Sequence, residues 1–220
     1  MQLSFCQTIG LFRADVDRRL TLEGKACNAL NVALSLYKRG VVSVFIYRIK
    51  RYLHLKNSKA LNLVVWLLRY PEFHYCHNEL DPRAEIGAGL VVSDFGGLGL
   101  SYANIIGKNC TFMGKATPTL GAMEGIDFLA DKIRIGDYCV IGHNVKIINP
   151  ITIADGVQIK ANSVLIKSVV VAGSVVTGFP ATTFAVVPLS SVMAWSPLLS
   201  KFQTLTAAEP QLVNEMGVRQ

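Results

Sequence analysis

The sequence predicts an α+β chain, a helical N-terminal region followed by a parallel β-helix. Two observations carry this: after Pro82 the chain follows a six-residue aliphatic period in two blocks, and the chain before residue 78 is helical in pattern. A third sets the scale, since 220 residues suffice for one domain with an appendage but not for two full domains. The boundaries fall at 1–78, 79–185 and 186–220.

Stepping by six from Ile135 gives Ile141, Ile147, Ile153, Ile159, Leu165 and Val171, all aliphatic. With hydrophobic residues at 51%, seven matches in seven is about a one-in-a-hundred event. A second column, Cys139, Val145, Ile151, Val157, Ser163, Val169 and Val175, is small or β-branched. Six residues are too few for a helix pair. They suit a coil of three short strands in which each aliphatic side chain stacks on its equivalent in the next coil. Gly, Ala and Asn beside the columns, as in Ile135-Gly136, Ile141-Gly142 and Ala161-Asn162, read as corners with unusual backbone angles. Ile86, Val92 and Leu98 follow the same rule, with Ile106 and Phe112 resuming after a two-residue slip. Residues 114 to 132 break the phase and read as one extended loop.

In the helical region, residues 12 to 38 form a first stretch and Gly40 punctuates. From Val41 to Lys56, Val42, Phe45, Ile49, Tyr52 and Leu53 share one helical face, with Arg48, Lys50 and Arg51 largely elsewhere. A third stretch, Ala60 to Tyr70, is closed by Pro71. Such a face packs against its own protomer or a partner. The second reading is a peripheral membrane contact through residues 41–70. No apolar run approaches the ~20 residues of a spanning helix. Residues 186 to 220 leave the repeat, and the polar end from Thr204 reads as a weakly ordered tail.

Low charge (17%) with high hydrophobicity excludes intrinsic disorder. The net charge of +7 suits nucleic acid, a membrane surface or a phosphorylated ligand and does not choose among them. Five scattered cysteines without a Cys-x-x-Cys pair exclude a disulfide framework and a zinc ribbon, and fit a reducing cytoplasm. The first residues lack the basic and apolar regions of a secretory signal. His74, Cys76, His77, Glu79 and Asp81 gather ligand-type side chains, but not at a zinc spacing, and no metal is expected.

The hexad [Leu/Ile/Val]-Gly-x-x-[small]-x resembles that of the hexapeptide-repeat acyltransferases, which form left-handed β-helices. Over residues 77 to 185 the order of segments is similar to the serine O-acetyltransferase family, particularly its shorter, polysaccharide-cluster members. The similarity runs through the stretch from Leu80-Asp81-Pro82 to Gly89, then Asp94-Phe95-Gly96-Gly97, Thr119-Leu120-Gly121-Ala122, Lys132-Ile133-Arg134 and the closing Gly178-Phe179-Pro180-Ala181. The resemblance implies acetyl transfer from acetyl-CoA to a small hydroxyl acceptor, serine or a sugar, in a cleft between the β-helices of a trimer. The helical region would join two trimers as in longer relatives, and no nucleic-acid partner is expected. It further implies a donor groove along Gly121, Ala122, Gly142 and Ala161, with Lys160 or Lys167 near the phosphates.

The departures from the family all fall in its chemistry. Asp94 stands where the family has its catalytic His, Ser93 where an Asp precedes it, and Glu79 where a carboxylate orients that His. The segment that supplies the family's Arg and His reads Asp127 to Ile133 here, with neither. Asp94 and Glu79 are therefore the candidate catalytic pair. A carboxylate is a weaker base than an imidazole by roughly two to three units of proton affinity. An active Asp94 would thus need burial beside Glu79 to strengthen it. Its alternative role is to cap the turn before Gly96-Gly97. His143, within Ile141-Gly142-His143-Asn144, reads as a corner or groove residue. Two functions follow, an O-acetyltransferase with a changed base or acceptor, and a catalytically silent relative that serves as a binding or scaffold protein.

Overall fold

The computed structural model describes residues 3–120, 127 and 130–188. Helices α1 (Phe5–Leu22), α2 (Ala29–Ser35), α3 (Arg39–Leu55) and α4 (Lys59–Pro71) lead into a π-helical turn, Glu72–Cys76. A capping box starts α1. The Ser4 hydroxyl accepts from the Gln7 amide while the Gln7 side chain takes the Ser4 amide. This sets the start of α1 seven residues before the helical pattern expected from residue 12.

Five coils follow. The first holds β1 (Glu79–Leu80), β2 (Glu85–Ile86) and β3 (Val91–Val92); the second β4 (Gly99–Leu100), β5 (Asn104–Ile106) and β6 (Thr111–Phe112). The third holds β7 (Thr117–Thr119), β8 (Ile133–Ile135) and β9 (Val140–Ile141); the fourth β10 (Lys146–Ile148), β11 (Thr152–Ile153) and β12 (Gln158–Ile159). The last has β13 (Val164–Leu165) and β14 (Ser174–Gly178), with β15 (Ala181–Val186) folding back antiparallel on β14. Equivalent strands of successive coils pair in parallel, giving the rows β2-β5-β8-β11, β7-β10-β13 and β3-β6-β9-β12-β14. The result is a three-faced left-handed β-helix behind a helical lead.

From Ile135 to Leu165 the first aliphatic column is at most 3% exposed, and the whole second column, Cys139 to Val175, is buried. Three details differ from the sequence reading. Val171 is 53% exposed, and Val169, two residues earlier, bridges to Ile153 instead. The two-residue slip precedes Leu98, because Leu100 stands in register with Leu80; the extra residues swell the corner at 93–97. The coil runs further than expected before the break: Ala116 is buried and Thr117–Thr119 pairs with β10. Gly136 and Gly142 serve close approach rather than unusual angles. A Cβ on Gly142 would lie 2.6 Å from the Ala161 nitrogen, whereas the left-handed corner positions fall to Asn109, Tyr138, Asn144 and Asn162.

A β-helix must close its open end, where core side chains and strand carbonyls would otherwise meet water. Helix α3 does this. Val44 and Tyr47 join the solenoid core, and the Tyr47 hydroxyl donates to the Ala84 carbonyl at 2.8 Å. Five cations cap carbonyls of the first coils. Arg18 donates to Gly89 and Cys110, Arg19 to Val92, Arg48 to Ile86 and Gly87, Lys50 to Leu80, and Arg51 to Pro82 and Ala84. Arg48 also pairs with Asp15, and Lys50 with Glu72, both pairs buried. The buried face of α3 therefore includes Tyr47, Arg48 and Lys50. The expected face is less buried: Phe45 is 40% exposed, against Phe12, and Tyr52 lies against Phe5. Within residues 41–70, exposed large apolar side chains sit mainly on α4, at Leu63, Trp66, Leu67 and Tyr70, because α3 is engaged with the coil. Among the described residues no single helix is long and apolar enough to cross a membrane. Gly40 lies inside the first turn of α3, where a Cβ would meet the Val92 carbonyl oxygen at 2.0 Å.

Candidate active site

The corners between the third and first faces stack into one edge: 93–97, 113–115, 142–144, 160–162 and the hairpin turn near 179. Backbone hydrogen bonds hold them in line, from Lys115 N to Gly96 O, Asn144 N to Gly114 O, and Asn162 N to His143 O. At the usual ~4.8 Å between strands, the edge runs for about 19 Å. Phe95, 80% exposed, stands at one end and Phe179, 81% exposed, at the other. Between them Ala161 is exposed, and the Lys160 ammonium lies 5.2 Å from the Phe184 ring. Lys167 belongs to a different corner, after β13. Gly121 and Ala122 lie outside the described residues.

Asp94 sits on this edge with both oxygens engaged. Oδ2 accepts from Arg19 Nη2 at 2.5 Å, and Oδ1 accepts from the Gly40 amide at 2.8 Å. The Gly40 amide is one of the donors that the start of α3 leaves without a helical partner, so Asp94 caps that helix from across the fold. Glu79 is placed separately on β1, exposed and ion-paired with Arg69. The two candidate carboxylates thus have a cation each, Arg19 and Arg69. The capping alternative is right in kind but wrong in place, since the capped element is α3 and not the turn before Gly96. Arg19 left no local signal in the sequence, because it reaches the corner only through the docking of α1.

His143 stands on the same edge, with Nδ1 3.3 Å from the Met113 carbonyl oxygen and its ring edge-on to Phe95, centroids 6.3 Å apart. Gly114, at φ 104°, packs close beside it, where a Cβ would lie 3.5 Å from Nδ1. The other ligand-type residues do not converge. His74 packs on Tyr70 at 4.3 Å, His77 turns left-handed against Gly96, and burial pushes the Cys76 thiol up to about 11. Among the described residues no three ligand side chains gather.

Residues 132–167 match the family model of the bacterial transferase hexapeptide (six repeats). No curated protein sequence matches significantly. The fold matches a serine acetyltransferase from Neisseria gonorrhoeae at TM-score 0.72 and 22% identity, covering 87% of this chain and 72% of that one. The Neisseria gonorrhoeae serine acetyltransferase in complex with serine matches at 0.71 and 25% identity, covering 84% and 72%. The chain has the fold of these serine acetyltransferases and carries hexapeptide repeats at residues 132–167. A Brucella abortus serine acetyltransferase in complex with coenzyme A matches it at 0.68 and 20% identity, covering 82% and 69%. These likenesses extend over the helical lead as well as the repeats. The chain therefore shares its two-part organisation with these structures.

Proposed function

We propose that the chain is an acetyl-CoA-dependent O-acetyltransferase acting on a small hydroxyl acceptor. The observation that carries the reading is the fold it has in common with serine acetyltransferases solved with coenzyme A and with serine. The stacked corner edge fits a donor. It is long, it has Ala161 open at its centre and exposed aromatic rings at both ends, and Lys160 adds positive charge. Gly142 supports the groove only indirectly, because the next coil occupies the space its side chain would take. Glu79 and Arg69 face a recess of about 420 Å³ with Trp66, Tyr70 and Phe73, whose rings and polar rim suit a sugar or a comparably amphiphilic alcohol. In this reading the site lies between neighbouring β-helices of a trimer, and Asp94 holds the corner without moving a proton.

The pairing of Asp94 with Arg19 and the Gly40 amide favours one second reading, a scaffold that has kept the coil and lost turnover. The test is thiol release from acetyl-CoA by purified protein, with serine and with monosaccharides as acceptors. Acceptor-stimulated release supports the transferase. Coenzyme A binding with no release on any hydroxyl supports the scaffold.

A further inference from the structure

We infer that His143, two coils along the edge from Asp94, is the general base for acetyl transfer. The inference rests on the transferase reading. A carbonyl oxygen only accepts, so the 3.3 Å contact with Met113 places the imidazole proton on Nδ1. That choice of tautomer leaves Nε2 as the lone-pair nitrogen, the arrangement a base requires. Three further features hold the ring in position. Phe95 meets it at 86°, Gly114 presents no side chain beside Nδ1, and the His143 carbonyl is fixed by the Asn162 amide. The ring thus has one nitrogen anchored and the other with no hydrogen-bond partner among the described residues, on the edge that would take the donor. Its corner neighbours Gly142 and Asn144 instead serve coil packing and a left-handed turn.

The step balances as follows. Nε2 takes the proton of the acceptor hydroxyl as its oxygen bonds to the acetyl carbonyl carbon. The carbon–sulfur bond breaks, and the proton on Nε2 passes to the departing thiolate. Acceptor and acetyl-CoA become acetyl ester and coenzyme A, with no other reactant.

The experiment compares wild type, H143A and H143N in the acetyl-CoA thiol-release assay, with coenzyme A affinity by calorimetry and Tm as controls. Asparagine can keep a donor toward the Met113 carbonyl and lacks the base. Both variants are expected to lose 10²- to 10⁴-fold in kcat, with coenzyme A affinity and Tm little changed, and added imidazole is expected to restore turnover in H143A. Turnover by H143N at the wild-type rate would assign His143 to corner structure and overturn the proposal alone. A wild type that transfers acetyl to no hydroxyl would overturn the transferase reading and this proposal with it.

Discussion

Asp94 illustrates how one corner side chain can tie distant elements together. Its carboxylate ties α1, through Arg19, to the first turn of α3 and to the enlarged 93–97 corner. D94N keeps one acceptor but loses the ion pair, and is expected to cost about 1–2 kcal/mol, the usual range for a lost helix cap, read as a lower midpoint in urea. The folded variant should keep whatever acetyl transfer the wild type shows to within a few-fold; a loss of 10²-fold or more would return Asp94 to the mechanism. Gly40 makes the complementary case. Gly to Ala inside a helix ordinarily gains up to about 1 kcal/mol. Here the added carbon would overlap the Val92 carbonyl and press on Arg19. G40A is therefore expected to lose about 2–3 kcal/mol, as overpacked sites do, and a Tm at or above wild type would refute the close approach.

At the scale of elements, the junction between α3 and the first coil is ionic where a soluble domain would ordinarily be apolar. Lys50 and Glu72 are each 1% exposed, and Lys50 also caps the Leu80 carbonyl. Removing one partner strands a buried charge, whereas removing both does not. E72A is expected to cost about 3–5 kcal/mol, and K50M with E72L to recover most of that loss. Chemical denaturation of the two singles and the double gives the coupling directly, and additive losses would show that the pair is not acting as one unit. The same junction explains why the apolar periodicity of α3 misled. Arg48 and Lys50 lie off the apolar stripe by spacing, yet both are buried because strand-end carbonyls and carboxylates solvate them.

For the whole molecule, the net charge of +7 has a structural component, since five cations of the helical lead cap carbonyls of the coil. The charge therefore says less about an anionic ligand than the composition alone suggests. Acid sensitivity should follow from the same docking. Glu23 links α1 to Lys38, ahead of α3. Burial would raise its pKa, but Lys38, Lys25 and Arg19 outweigh it and hold the carboxyl down at about 2. A depressed carboxyl stabilises the fold above its unfolded value near 4.5, and that contribution fades as pH falls toward 2. The stability difference between wild type and E23Q should thus be full at pH 6 and vanish by about pH 2; a difference independent of pH would mean that Glu23 acts through packing.

The repeat by itself determined the solenoid. A six-residue period with an aliphatic first position leaves no other way to bury Ile135, Ile141 and Ile147 than by stacking coils, and local pattern suffices for that because every coil contacts only its neighbours. The edge on which Asp94 and His143 lie was legible too, since corners recur with the period. What only the tertiary structure decided is what those residues do. Arg19 and Gly40 reach Asp94 across 75 and 54 residues of chain, and Phe95 meets His143 two coils away. Contacts of that separation follow from how the helical lead docks and how the coils register, and neither is encoded in the spacing of neighbouring residues. A corner carboxylate that reads as a candidate base in the sequence thus also caps a distant helix in the fold.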